Sequence, residues 1–211
     1  MNTINILLAL PNKGRLQKPA LKLLEEADIN VTTTDREYLA DTSEPQLQII
    51  FARASDIPVY VHFGATDLGI TGHDLILERS SDVYELMNLA FGKCKLVLAV
   101  PNNSEILSLE DLPNGVKIAT EFPNITDSYF GEKGKKVELI TVHGATEITP
   151  ILGLADAIVD LVSTGSTLKS NNLRPIETIL TSTARLVCNK ISLRTKEKTI
   201  NSIVKKLKTK L

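Results

Sequence analysis

DAIVDLVSTGST, residues 156–167, joins an apolar strand to a loop suited to holding an anion. Ala157, Ile158, Val159, Leu161 and Val162 form a short apolar run of the kind that becomes a central strand of an α/β sheet. One charge, Asp160, interrupts it. A carboxylate desolvated without hydrogen-bond donors is costly, so Asp160 is expected at the strand's carboxyl end, within reach of ligand hydroxyls or backbone amides. Ser163, Thr164, Gly165, Ser166 and Thr167 follow directly, placing hydroxyls on both sides of a glycine. Their backbone N–H groups can surround a phosphate, and a helix starting near Thr167 adds the positive end of its dipole. A plainer reading, a polar turn with a Thr N-cap, accounts for Gly165 and Thr167 but not for the acid just ahead of the hydroxyl cluster.

Outward from this stretch, strand and helix signals alternate, which predicts α/β layers with mixed, mainly parallel sheets flanked by helices. Strands are expected over residues 4–10, 47–51, 68–71, 94–100, 116–120, 137–142, 157–162 and 184–188. The first helix carries Leu16, Ala20, Leu23, Leu24 and Ala27 on one face, with Pro19 in its first turn. Others are expected near Leu75, Thr126, Glu147 and Thr167, and a last helix over 195–211 with a lysine-rich solvated face. Residues 99–115 are the richest in turn formers and read as the entry to a second lobe. The chain is then expected to divide into 1–92, 93–181 and a return segment, 182–211, that completes the first lobe.

Composition limits the function classes. The 211 residues are 43% hydrophobic and 23% charged, as in ordinary soluble domains, and the net charge of -1 gives no pull toward nucleic acid or an anionic membrane. With aromatics at 4% and no Trp, a base-stacking surface is not expected. Cys94 and Cys188 lie in apolar runs and read as buried free thiols. His62, His73 and His143 have no metal-ligand spacing, so no protein-held metal is expected. The amino-terminal apolar run is only strand length and lacks signal-peptide features, so a cytoplasmic location is expected.

Other residues suit polyphosphate. LALPNKGRL places Lys13 and Arg15 on a loop between the first strand and its helix, where ligands of open α/β sheets bind, although an incidentally basic loop fits equally well. Arg53 leaves the end of an apolar strand and suits bidentate phosphate binding. Asp67 precedes a short strand that Thr71 and Gly72 end, while Asp56 reads as the cap of a helix beginning near Pro58. Glu147 sits near a helix start, where it either meets ligand or only complements the dipole.

The blocks LALPNKGRLQKPALKLLEEADI, RASDIPVYVHFGATDLGITGHDLILE, FGKCKLVLAVP, GATEITPILGLADAIVDLVSTGSTLKSNNL and ARLVCNK, in this order, resemble the ATP phosphoribosyltransferase family, in its short form. The resemblance implies a two-lobed fold like the type II periplasmic binding proteins. It implies transfer of the 5-phosphoribosyl group of 5-phosphoribosyl diphosphate (PRPP) to N1 of ATP, the first step of histidine biosynthesis. By motif position Asp160 would take the ribose hydroxyls, and Ser163, Thr164, Gly165, Ser166 and Thr167 the 5-phosphate. Arg53 and Arg36 would face the pyrophosphate, and Lys13, Arg15, Asp67, Thr71 and Glu147 would serve ATP and polyphosphate. Magnesium would be held mainly through PRPP. The resemblance also implies a homodimer within a hetero-oligomer containing a histidyl-tRNA synthetase-like regulatory subunit. Glu121 and Asp127 stand where the family pattern leads one to expect basic residues. Two other functions fit the same lobes: a non-catalytic ligand-binding module, and a phosphoribosyltransferase acting on a free base.

Overall fold

The computed structural model describes residues 6–32 and 38–210. The chain folds into two compact units, residues 1–92 with 183–211, and residues 93–182.

The first unit holds β1 (Ile6–Pro11), α1 (Gln17–Glu26), β2 (Val31–Thr32), β3 (Leu39–Thr42), β4 (Leu47–Ala52), α2 (Ile57–His62), β5 (Leu68–Gly72), α3 (His73–Glu78) and β6 (Tyr84–Asn88). The second holds β7 (Cys94–Pro101), β8 (Val116–Thr120), α4 (Pro123–Glu132), β9 (Val137–Thr141), a 3-10 turn at Thr146–Ile148, β10 (Ala157–Val162), α5 (Ser166–Ser170) and β11 (Leu173–Ser182). The chain then returns to the first unit as β12 (Ala184–Cys188), α6 (Lys190–Thr195) and α7 (Glu197–Lys208).

The first sheet runs β2-β3-β4-β1-β5-β12-β6 and the second β11-β7-β10-β8-β9. Both are mixed, but antiparallel pairings outnumber parallel ones among the described residues, six to four, so the expectation of mainly parallel sheets needs correcting. The parallel pairs are β4-β1, β1-β5, β10-β8 and β8-β9. The antiparallel pairs are those of the edge strands β2 and β11, the two made by the returning β12, and β3-β4 and β7-β10 between inner strands. A strand read alone shows burial but not the direction of its neighbour, which is why the sequence overstates the parallel share.

Leu16, Ala20, Leu23, Leu24 and Ala27 all lie in the first unit's core with β1, β4 and β5. Each fully buried Leu or Ile there contributes roughly 1.5–3 kcal/mol relative to exposure. In the second unit Val97, Ala99, Ala119, Ile158 and Leu168 cluster between the sheet and α5.

The last helix differs from expectation. Asn189 starts α6 earlier, its side chain accepting from the N–H groups of Ile191 (2.9 Å) and Ser192 (3.0 Å). Lys196 then leaves helical geometry (φ -123°) and its ammonium meets Asp67 at 2.8 Å, which separates α6 from α7. The strands β2, β3, β6 and β11 carry no signal that the sequence reading detects. β11 contains Pro175 and two register shifts, which an edge strand tolerates and which blur its alternation.

Candidate active site

In the second unit β10 is the central strand, and Asp160 lies just past the end of β8. The parallel register pairs Val159 with Thr120, so Asp160 comes level with Glu121, where β8 has stopped. On its other side β7 continues, with Val97 opposite Asp160. Asp160 thus has a paired strand on one side only. One of its oxygens accepts from the Leu161 N–H at 2.7 Å. Burial first, and then the charges of Glu147 and Glu121, raise its pKa from 3.8 to about 6, against the lowering effect of that hydrogen bond.

Three connections therefore meet at the carboxyl ends of β8, β9 and β10. Glu121 follows β8 and accepts a hydrogen bond from the Gly144 N–H, pinning the loop after β9 that carries Glu147. Glu147 stands on a single 3-10 turn rather than at a helix start, and it shares a unit with Asp160 rather than with Lys13 and Arg15. In the sequence Glu121 stands out only as a departure from a basic pattern. Its part in holding the Glu147 loop depends on a long-range contact that no local spacing signals.

The loop after β10 turns at Gly165, whose φ of +81° is left-handed. Thr164 and Ser166 share a hydroxyl-to-hydroxyl hydrogen bond at 3.0 Å, and Ser163, Thr164, Ser166 and Thr167 are exposed. α5 starts at Ser166 with Gly165 in the cap position and has no side-chain cap hydrogen bond, which removes the plainer Thr N-cap reading. The helix is only five residues long, so the expectation of a helix dipole is corrected: the loop offers local amides and hydroxyls, with little macrodipole behind them. A Gly165→Val substitution should cost affinity for phosphorylated ligands by roughly tenfold, because left-handed backbone is strained by about 1–2 kcal/mol for a residue with a Cβ. Calorimetric titration with PRPP checks this.

In the first unit the parallel strands β4, β1 and β5 present three adjacent loops. The Asn12 N–H donates to the Ala52 carbonyl (2.8 Å), tying the loops after β1 and β4. Thr71 is buried and its hydroxyl donates to the Ala54 carbonyl at 2.8 Å, so it braces the Arg53 loop instead of offering its proton to a ligand. Arg15 is likewise engaged. Its guanidinium donates to both oxygens of the buried Asp74 at 3.1 Å and to the Gly92 carbonyl at 2.6 Å. Gly72 makes room for this pair, since a Cβ there would stand 2.2 Å from Asp74 Oδ1.

Arg15 and Thr71 therefore shape the loops. Lys13 and Arg53 are exposed and without an ionic or hydrogen-bonding side-chain partner among the described residues, which leaves them free for anions. Asp67 is a further correction. It sits at the amino end of β5, the end opposite Thr71, and takes the Leu7 N–H (2.9 Å), the Ser192 hydroxyl (2.5 Å) and Lys196 (2.8 Å). Its carboxylate is consumed in joining β1 and β5 to the returning helices. Arg36 lies outside the described residues.

No group of three or more His, Cys, Asp or Glu among the described residues is arranged to hold a metal ion. Cys94 and Cys188 are both buried thiols outside any disulfide, and burial followed by the Asp67 charge pushes the Cys188 thiol up to about 12, which keeps it protonated and non-nucleophilic. No helix of the described residues is long and apolar enough to cross a membrane.

The sequence profile "HisG: ATP phosphoribosyltransferase" matches residues 53–209. An ATP phosphoribosyltransferase of Methanocaldococcus jannaschii is 49% identical over 210 residues, spanning 98% of this chain and 73% of the relative. One from Methanosarcina barkeri is 52% identical over 198 residues, 93% of this chain and 68% of the relative. Among solved structures, the ATP phosphoribosyl transferase (HisG:HisZ) complex from Thermotoga maritima superposes with a TM-score of 0.85 at 31% identity, covering 97% of this chain and 98% of that one. The alkanesulfonate-binding protein SsuA from Xanthomonas axonopodis pv. citri matches at TM-score 0.59 and 14% identity, covering 97% and 72%; this shows the type II periplasmic-binding-protein-like fold alone. The profile spans most of the chain, including the Asp160 strand and its hydroxyl loop, and the relatives span nearly all of it: the chain belongs to the ATP phosphoribosyltransferase family.

Proposed function

We infer that the chain carries out the family's reaction with Asp160 and the 163–167 loop as the seat of PRPP. The adenine N1 lone pair of ATP attacks C1 of PRPP, the C1–O bond to pyrophosphate breaks, and pyrophosphate leaves with the bonding pair. Configuration at C1 inverts. No protein nucleophile takes part, so catalysis rests on alignment and on charge stabilisation. Asp160 accepts from the ribose hydroxyls, and the amides and hydroxyls of Ser163 to Thr167 donate to the 5-phosphate. Arg53 and Lys13 offset charge on the pyrophosphate or triphosphate oxygens. Arg36, by motif position, serves with them.

The observation that carries this reading is the pairing of a half-buried, strand-borne carboxylate with a left-handed glycine loop of exposed hydroxyls at one sheet end. Magnesium belongs to the same proposal. Asp160, Glu147 and Glu121 give an oxygen-only, acidic surrounding suited to a hard cation, without a ready-made protein cage, in keeping with a magnesium ion held mainly by PRPP oxygens. When bound, the ion would neutralise the pyrophosphate leaving group. Pyrophosphate release should depend on PRPP, magnesium and ATP together. Release with adenine or orotate in place of ATP would point to a free-base transferase, and thermal stabilisation by amino acids but not by PRPP would point to a binding module.

A regulatory partner forms the second part of the proposal: a histidyl-tRNA synthetase-like subunit assembled with a homodimer of this chain. It is supported by the likeness to a chain solved as a HisG:HisZ complex. The isolated chain should then turn over at a rate flat across histidine concentration, and addition of the partner should make the rate fall. Saturable inhibition of the chain alone by histidine would contradict it. Both substrates are highly charged phosphates that do not cross membranes unaided, which favours a cytoplasmic setting.

A further inference from the structure

The proposed PRPP loop has a charge problem. A 5-phosphate is a dianion, yet the loop supplies only neutral hydroxyls and amides, the helix behind it is five residues long, and the nearby side chains Asp160, Glu147 and Glu121 are acidic. A phosphate held in that field needs a cation.

The second sheet provides one. A pocket of about 440 Å³ is lined by Ser163, Thr164 and Gly165 together with Lys93 and Lys95. β7 runs antiparallel to β10, so its first residues lie beside the loop that leaves β10: Lys95 stands opposite Val162, the residue before Ser163. Directly opposed residues share a sheet face, and alternation puts Lys93, Lys95 and Val97 on the face that also carries Asp160 and Val162. On β11 the residue opposite Lys95 is Thr181, which is uncharged.

Both lysines are exposed, and neither has an ion pair or hydrogen-bonded side-chain partner among the described residues. Asp160 lies diagonally across from Lys95, within the range of a long side chain, yet the charges acting on Asp160 are those of Glu147 and Glu121. Lys95 lines the pocket, and no ion pair joins it to Asp160. A charged side chain on an inner strand, with a neutral neighbour on each flanking strand and a hydroxyl loop beside it, fits a ligand anion better than a structural pair.

Accepting the loop as the PRPP seat, we propose that Lys95, with Lys93 at the rim of the same pocket, supplies the positive charge that holds the phosphate of the ribose 5-phosphate moiety. The test is calorimetric titration of ribose 5-phosphate, and separately of ATP, into wild type, Lys95→Met, Lys95→Gln, Lys95→Arg and Gly165→Val, the lysine variants checked for an unchanged melting curve and Gly165→Val for a cooperative one. Lys95→Met and Lys95→Gln should bind ribose 5-phosphate about tenfold or more weakly, with Lys95→Arg restoring most of the loss and ATP affinity unmoved. The affinity of wild type should also fall more steeply with salt than that of Lys95→Met. Wild-type affinity in the Met and Gln variants, alongside a loss in Gly165→Val, overturns the lysine assignment and leaves the loop in place. Unchanged affinity in all four variants, or no binding to wild type, overturns the loop reading together with it.

Discussion

Asp160→Asn should make the protein more stable and much less active. The folded-state pKa of about 6 lies above the ordinary 3.8, so ionising this group costs stability. The sign follows directly: below pH 3.8 the acid is protonated whether folded or unfolded, stability is lost as pH rises through 6, and the full penalty persists above it. Asn never ionises and keeps an oxygen that can accept from the Leu161 N–H. The variant should therefore melt about 3–6 °C higher at pH 8, with the gap closing by about pH 4. The same change removes two charge-assisted acceptors for ribose hydroxyls, so PRPP affinity and kcat/KM should fall on the order of a hundredfold. Wild-type PRPP affinity should itself decline as pH drops below 6. A melting difference that does not depend on pH would contradict the burial argument, and unchanged PRPP affinity would contradict the ligand role.

Arg53→Ala should lower kcat by about 100- to 1000-fold while moving the KM for ATP little, because negative charge on the departing pyrophosphate grows toward the transition state. Lys should recover only part of this, since it lacks the planar fork. Arg15→Ala offers a contrast. Its guanidinium is occupied by Asp74 and Gly92, so its loss should appear mainly as lost stability. A raised KM for ATP with unaltered kcat in Arg53→Ala would place Arg53 in ground-state binding.

These contrasts show what the sequence could and could not disclose. The strand 157–162 and its loop were legible because apolar run, lone acid and hydroxyl cluster are all local. So were β8 and β12, whose ends matched, and the buried face of α1. Arg15, Thr71 and Asp67 look like ligand residues because each is a polar group beside a strand end. What decides their use is a partner far along the chain: Asp74 for Arg15, Ala54 for Thr71, and Ser192 with Lys196 for Asp67. Asp67 adds a second reason, as it stands at the wrong end of its strand, and polarity alone carries no sign of which end faces a ligand. The cation beside the hydroxyl loop was invisible for the same cause. Lys95 comes beside Ser163 only through the antiparallel register of β7 and β10.

The central claim, that residues 160–167 seat the phosphoribosyl group, is tested most directly by backbone amide chemical shifts followed during titration with PRPP and magnesium. The account predicts the largest changes at the amides of Leu161 and of Ser163 to Thr167, saturating together and absent in Asp160→Asn at the same ligand concentration. Saturable PRPP binding that leaves those amides unmoved and shifts another surface instead would contradict it.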